Sequence, residues 1–498
     1  MTHDCDVLIV GAGPVGTALA LELALQKVSF RVVDRAPVRD DKSRALVIQP
    51  RTLELLNRHG AAESLVRRGR ILRGGSVYIR GKLAVELDLD DLGTTDTEFP
   101  LPLNISQAVT EAFLDECLAQ YGISVERPAT AVSIAPDASG VTTVLEMPDG
   151  QSESVRSRYV VGCDGAHSIV RHAANLAFDG APYPQDFMLC DVHLRDSNLP
   201  QDRISVHLGR HGVLALLPIS DTVVRLVASH QPDPSVPVPQ DAPTLAQFQA
   251  HFRAMTPPGR GTLHDALWLT RFRLHHRCAT RYQAGRLFRL PVGRALLRGT
   301  DRIFAFFAAA SPDPQRLLRR RLRDLFLRRL LPWLVRSRRS RRRVFLFLSE
   351  FGVSYRACGS GIVGTAPGFR GPVRGGDRLP DGRVLGASGE TGLQRVCRGA
   401  AFHFFVFAGS DKVVAEAGLR MAAERVVAAM GGGVEVRFIL RGGRLGEGVE
   451  WYADPGGARH RQFGFGTRPG YVLVRPDGYV GHIGPLAKLD ALVSFLEG

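Results

Sequence analysis

Six residues near the N-terminus, GAGPVG at 11–16, constrain the fold more than any other feature of the chain. An apolar run of strand length, residues 6–10, precedes them. A segment rich in Ala and Leu, residues 17–26, follows and reads as a helix. A second apolar stretch, 30–33, ends in Asp34. Strand, glycine loop, helix and second strand in this order make a dinucleotide-binding unit. Gly11 supplies the tight turn, Gly13 lets the backbone approach a pyrophosphate, and Gly16 lets helix and strand pack closely. Pro14 lies inside the loop, and the helix N-terminus behind it offers unpaired N–H groups and a positive dipole end. Asp34 can accept from ribose hydroxyls and would repel a 2′-phosphate, which leaves FAD or NAD as the ligand. Arg35, beside it, is a further candidate contact. The motif alone does not choose between the two dinucleotides.

The length of 498 residues implies two to four domains. The first residues lack a basic stretch followed by an apolar one, so a secretory signal is not expected. The apolar runs at 303–310 and 344–348 are far too short to span a bilayer, and a cytoplasmic location follows as the expectation. The seven cysteines are widely spaced and form no C-x-x-C pair. This argues against zinc ribbons and dithiol redox chemistry, and no metal site is expected. The net charge of +15 is matched by one region: residues 286–343 hold 18 arginines and three acids. These arginines alternate with Leu, Phe and Trp, as on amphipathic helices. A solvated helix face is the expected role, with an anionic surface as the alternative, and no nucleic-acid partner is inferred.

At 159–171 the chain reads YVVGCDGAHSIVR: a strand into Gly162, then Asp164-Gly165 and a short helix. This segment resembles the DG motif of class A flavoprotein monooxygenases, which share the para-hydroxybenzoate hydroxylase fold. Three further segments resemble the same family in order. Residues 43–56, SRALVIQPRTLELL, resemble the stretch whose Arg, here Arg44, reaches the flavin. Residues 105–114, ISQAVTEAFL, resemble the stretch whose Gln, here Gln107, contacts the cofactor. Residues 275–288, HHRCATRYQAGRLF, resemble the strand that returns to the FAD domain. Each has a structural alternative: Arg44 as a helix-capping surface residue, Gln107 as a loop residue, His167 as a satisfied polar side chain. The resemblance implies FAD as cofactor, with Arg44, Gln107, Asp164 and Gly165 near it, and NAD(P)H as a transient co-substrate. The sequence contains no second dinucleotide unit, which separates it from reductases of the disulfide type.

The resemblance implies an α/β fold: a Rossmann-like FAD-binding domain, an inserted mostly-β substrate domain and a C-terminal thioredoxin-like α/β domain. The FAD domain is expected from 1–70, 104–175 and 275–354, the last including the arginine-rich helices. The substrate domain is expected from 71–103 and 176–274, with strands at 203–208 and 223–227 and a Pro-rich loop at 232–243. From 355 to 498 the composition becomes Gly-rich. Residues 367–385 and the ending GYVLVRPDGYVGHIG at 470–484 resemble the thioredoxin-like domain of the phenol- and polyketide-hydroxylase branch. The ending reads as two strands joined by a Pro-Asp-Gly turn. Without paired cysteines, a structural or dimer-interface role is expected there, which allows a homodimer.

One piece of the family pattern is missing. A second flavin signature, beginning Gly-Asp and leading into a loop and helix over the flavin, should follow 285–288. Here Phe288 is followed at once by RLPVGRALLRGTDRIF, which resembles family sequence from beyond that helix. Neither Gly299 with Asp301 nor Gly376 with Asp377 stands in the right context to replace it. Two functions follow as expectations. The first is an FAD-dependent monooxygenase hydroxylating a phenolic or polyketide ring with NAD(P)H and O₂. The second is an inactive remnant with weak or no FAD binding. Catalytic residues and the aromatic substrate are not readable from the sequence.

Overall fold

The computed structural model describes residues 3–39, 42, 45–92, 94–181, 186–209, 212–230, 241–272, 277–279, 281–289, 337–356, 363–409, 416–442 and 444–497. Arg44, the Pro-rich loop up to residue 240, Cys358 and most of the arginine-rich region lie outside them, as does all but the first residue of the segment RLPVGRALLRGTDRIF, 289–304. The chain divides into two compact units. One comprises 1–47, 65–92 and 103–341, and the other 48–64, 93–102 and 342–498.

The first unit is built on two seven-stranded sheets. In one of them β1 (Cys5–Val10) pairs in parallel with β2 (Phe30–Val33) on one side and with Ser152–Gly162 on the other. Beyond Ser152–Gly162 lies the parallel strand Leu287–Arg289, in the register Val160–Leu287 and Gly162–Arg289. β1 is buried nearly throughout, as a central parallel strand covered on both faces must be. Helix α1 (Pro14–Leu25) starts three residues before the expected position, because proline is tolerated in a helix's first turn, where its missing N–H has no intrahelical partner. The helix buries Gly16, Thr17, Ala20 and Leu21.

The other sheet runs in the order Thr262–Phe272, Asp186–Arg195, Val223–His230, Val213–Pro218, Arg203–Leu208, Gly74–Ile79, Lys82–Asp88. The helix Leu245–Met255 covers one face. It begins with a capping box between Thr244 and Gln247 and packs Phe248, Phe252 and Met255 against Met188, Cys190, Leu214, Leu216 and Leu226. Strand alternation places Asp191, Leu217 and Arg225 on the opposite face. The strands expected at 203–208 and 223–227 are present, the second extended to His230.

The second unit carries an eight-stranded sheet. At its centre Val480–Pro485, Gly470–Val474 and Phe402–Phe407 are successively antiparallel. Phe402–Phe407 then pairs in parallel with Val434–Leu440. The parallel pair needs a crossover, which includes the helix Glu416–Met430. Along Phe402–Phe407, Phe405 and Phe407 enter one core while Phe404 and Val406 enter the other, so the sheet is covered on both sides. The turn expected at Pro476-Asp477-Gly478 closes with Gly478 at φ +75° and its N–H on the Arg475 carbonyl at 2.9 Å. Among the described residues no helix is long and apolar enough to cross a membrane.

Candidate functional site

The C-terminal ends of β1, β2 and Ser152–Gly162 meet at a cleft of about 470 Å³. This is where an open parallel sheet binds its ligand. Gly11 has φ +99°, and a Cβ there would lie 2.5 Å from the Cys163 carbonyl oxygen. At Gly16 a Cβ would lie 1.9 Å from the Gly11 carbonyl oxygen. Both glycines are thus demanded by the protein's own packing. Gly13 differs: a Cβ there would meet nothing within 4 Å. It is also the N-cap of α1, and no side chain caps that end. The space at Gly13 therefore opens onto the cleft, beside helix N–H groups that no side chain satisfies.

Asp34 lies at the end of β2. Its Oδ2 accepts the Ala12 N–H at 2.7 Å, and its Oδ1 accepts the Ala36 N–H at 2.8 Å. Arg127 lies 3.5 Å from Oδ1 and donates to the Ala12 carbonyl at 3.0 Å. Arg35 is exposed at the cleft edge. Across the cleft, Asp164 follows the central strand. Its Oδ2 accepts the Val170 N–H at 3.3 Å, while its buried Oδ1 has no partner among the described residues. Gly165 takes φ +74°, and a Cβ there would meet nothing within 4 Å. Gln107 begins the helix Gln107–Ala119 and donates to Glu111 at 2.8 Å. Burial raises the Glu111 carboxyl above its ordinary range. The Cys163 thiol is pushed up to about 12, mainly by burial and then by Asp164, so it is no nucleophile at neutral pH.

Of the sequence candidates, Gly11, Gly13, Pro14, Asp34, Arg35, Gln107, Asp164 and Gly165 line this one cleft. Gly16 stands behind it as a packing residue, and Arg44 lies outside the described residues. The sequence reading missed Arg127, Glu111 and Cys163, which also line it. Arg127 carries no periodic signal, and it reaches Asp34 because residues 126–129 run alongside the end of β2, Glu126 accepting the Asp34 N–H at 3.0 Å and Asp34 accepting the Ala129 N–H on its carbonyl at 2.9 Å.

Tested against a dinucleotide, these residues fit the adenosine diphosphate half. Open space at Gly13 meets N–H groups that no side chain caps, a carboxylate stands at the end of β2, and among the described residues the Asp164 Oδ1 has no partner. A family profile for the FAD binding domain matches residues 4–290, more than half of the chain. The chain belongs to the FAD-binding-domain family. A second profile, the phenol hydroxylase C-terminal dimerisation domain, matches residues 448–498. Among curated relatives, 6-methylpretetramide 4-monooxygenase of Streptomyces rimosus is 35% identical over 289 residues, covering 57% of this chain and 50% of that one. Rifampicin monooxygenase of Streptomyces venezuelae is 31% identical over 287 residues, 57% of each chain. The chain thus spans about half the length of the curated relatives it matches. Two solved structures share the fold over nearly all of both chains. The flavin-dependent monooxygenase PieE, in complex with FAD and substrate, gives a TM-score of 0.75 at 20% identity, covering 100% of each. Aklavinone-11 hydroxylase with FAD and aklavinone gives 0.71 at 23% identity, covering 100% of this chain and 99% of that one. The mixed α/β class and the flavin-binding family expected from the motifs are what these comparisons find.

A second polar feature lies on the other sheet of the same unit. On the face opposite the helix Leu245–Met255, Arg225 donates twice to Asp191, each bond at 2.7 Å, and its guanidinium lies 5.4 Å over the Trp268 ring.

Proposed function

We propose that the chain is an FAD-dependent monooxygenase that hydroxylates a phenolic or polyketide aromatic ring, consuming NAD(P)H and O₂. The observation that carries this reading is the convergence of Gly13, Asp34, Arg127 and Asp164 on one cleft within the region matched by the FAD profile. The relatives matched over that region include monooxygenases acting on 6-methylpretetramide and rifampicin, by their names, and they support the working enzyme over the inactive remnant. When bound, FAD would supply the oxygen-activating redox chemistry. The residues of this chain would hold its adenosine end. The helix N–H groups at Gly13 would face the pyrophosphate, Asp34 would accept from the ribose, and Asp164 Oδ1 would take a donor from the ligand. Arg127, 3.5 Å from Oδ1, would keep Asp34 oriented.

The seven-stranded sheet from Gly74–Ile79 to Thr262–Phe272 is assigned to the substrate. Its face carrying Asp191, Arg225 and Trp268 would meet the ring, while the opposite face is filled by the helix Leu245–Met255. The strand order of the second unit supports a thioredoxin-like C-terminal domain, and the dimerisation-domain match supports a homodimer formed through it. A cytoplasmic location and use of NADPH belong to the same proposal. The visible absorbance of the purified chain, followed by oxygen uptake with NADPH and a phenolic or polyketide ring, tests it. A folded protein that takes up no flavin when FAD is added would end this reading.

A further inference from the structure

Beside the helix Leu245–Met255, on the same face of the seven-stranded sheet, lies a pocket of about 250 Å³. Leu216 and Val224 belong both to the core beneath the helix and to the pocket lining. The register fixes the floor. Ser205 is level with Ser76 on one neighbouring strand and with Leu216 on the other, so these three side chains stand in one row on one face. Asp191 and Arg225, on the face proposed for the aromatic ring, point the other way. The pocket is therefore separate from the ring site and from the dinucleotide cleft.

Its polar groups are mostly hydroxyls, and several have hydrogen-bonding capacity to spare. Ser76 and Ser205 are each only 8% exposed. A buried hydroxyl costs free energy unless its hydrogen bonds are met. Among the described residues no hydrogen bond ends on the Ser76 hydroxyl. Ser205 Oγ lies 3.2 Å from His207 Nε2. Burial lowers His207 to about 4, so its ring is neutral, and with either tautomer Ser205 keeps a proton or a lone pair for a ligand. On the two loops that wall the pocket, Ser197 Oγ accepts the Leu199 N–H at 3.2 Å and Ser220 Oγ accepts the Val223 N–H at 3.1 Å. Both keep their protons to donate.

The charges in the lining are already engaged. Arg203 is held by Asp88 at 3.1 Å and by Glu86 at 3.6 Å. Asp221 is paired with Arg70 at 2.7 Å. Tyr78 is stacked on His207 at 4.6 Å and lies under the Arg260 guanidinium at 5.4 Å, so it brings its hydroxyl rather than its ring face. Neither an anion nor an aromatic ring suits such a lining. The volume equals about eight waters at ~30 Å³ each, the size of a single hexose ring.

We propose that this pocket is a second binding site, which takes one uncharged, polyhydroxylated ring of monosaccharide or cyclic-polyol type. A hydroxyl both donates and accepts, so a ligand built of hydroxyls can use Ser76, Ser197, Ser205 and Ser220 together. The C–H face of the same ring rests on Leu216 and Val224.

Saturation-transfer NMR of the full chain with D-glucose, L-rhamnose and myo-inositol tests this without reference to turnover or to flavin. At least one of the three should bind saturably, with a Kd of about 1–10 mM. Ser76→Ala and Ser205→Ala should each weaken that polyol about 2- to 12-fold, the loss of one hydrogen bond, and melt like the parent. No saturation by any of the three below about 50 mM would overturn the proposal. So would binding that is unchanged when both serines are replaced in a chain still folded by circular dichroism. Displacement of the polyol by inorganic phosphate or by phenol would overturn the assignment to an uncharged polyol.

Discussion

Asp34 holds the glycine loop closed by accepting the Ala12 N–H on Oδ2 at 2.7 Å, 22 residues away in sequence. The residue expected to meet the ribose is therefore also a structural clamp, with Oδ1 tied to the Ala36 N–H. Each hydrogen bond to a charged group contributes about 1.5–3 kcal/mol. Asp34→Ala should weaken adenine-nucleotide binding roughly 10- to 100-fold, whereas Asp490→Ala, at an exposed acid in the other unit, should leave it unchanged. Equal affinity of the two variants for ADP or FAD would defeat this assignment.

The glycines of the loop divide into two kinds, and substitution should separate them. Gly16→Ala places a methyl group 1.9 Å from a backbone oxygen, which neither partner can relieve without moving α1 off β1. A loss of several kcal/mol of stability is expected, in the range about 2–4. Gly13→Ala meets no protein atom within 4 Å. It should melt like the parent and yet bind nucleotide at least tenfold more weakly. Thermal unfolding and titration of both variants check this. A Gly13→Ala chain with unchanged affinity would show that no phosphate approaches there.

The legible part of the fold was the part written locally. Gly11, Gly13 and Gly16 carry the loop, and apolar runs of strand length carry β1 and β2 on their own. Asp164-Gly165 was readable because a strand feeds directly into it. Arg127 was not, since its role depends on a contact across the sheet edge with a residue 93 positions earlier, Asp34. The assignment of 48–64 and 93–102 to the C-terminal unit was equally hidden. It rests on Glu54, Asp96 and Arg378, whose pairing no periodicity announces. Arg289 carried no local signal either, because its place over the Phe178 ring follows from the pairing of Leu287–Arg289 with Val160–Gly162.

Two buried histidines predict acid sensitivity. Burial, then repulsion from Arg260, lowers His207 to about 4, and burial alone lowers His482 to about 4. An unfolded histidine titrates near 6.5. Between these values the unfolded chain binds more protons, so stability rises with pH and is lost as pH falls from about 6.5 toward 4. His207→Gln should flatten that slope for the first unit, and His482→Gln for the second, each by up to one proton. Denaturant titrations at a series of pH values measure it, and a parent slope of zero across this window would contradict the argument.

The C-terminal unit should have no thiol–disulfide oxidoreductase activity. Cys397 is buried, and burial pushes its thiol well above the usual range. Insulin reduction by dithiothreitol should not be accelerated by the chain. Catalysis that disappears in Cys397→Ser would refute this.

Glu54 offers the sharpest stability test. Its carboxylate is 1% exposed and is shared by two arginines, Oε1 taking Arg378 at 2.7 Å and Oε2 taking Arg51 at 2.8 Å. Gln394 donates to the same Oε1 at 3.1 Å, and Arg378 is also bonded to Asp96. Each guanidinium lies on an aromatic ring, Arg51 over Tyr479 at 4.7 Å and Arg378 over Phe351 at 4.4 Å. All of these residues belong to the second unit, so the cluster binds its N-terminal segments to its C-terminal one. Glu54→Ala would take from buried Arg51 its ion-pair partner and leave Arg378 with Asp96 alone, and breaking a buried pair in this way costs about 3–5 kcal/mol. Glu54→Gln preserves the shape and one acceptor, and should cost less, about 1–3 kcal/mol. Replacing all three charges, as Glu54→Leu with Arg51→Met and Arg378→Met, should be milder than Glu54→Ala, because no buried charge of the trio is then left without its counterpart. Urea unfolding of the three variants ranks them. If the triple variant were the least stable, the cluster would be a net source of stability rather than a set of charges that must be kept together.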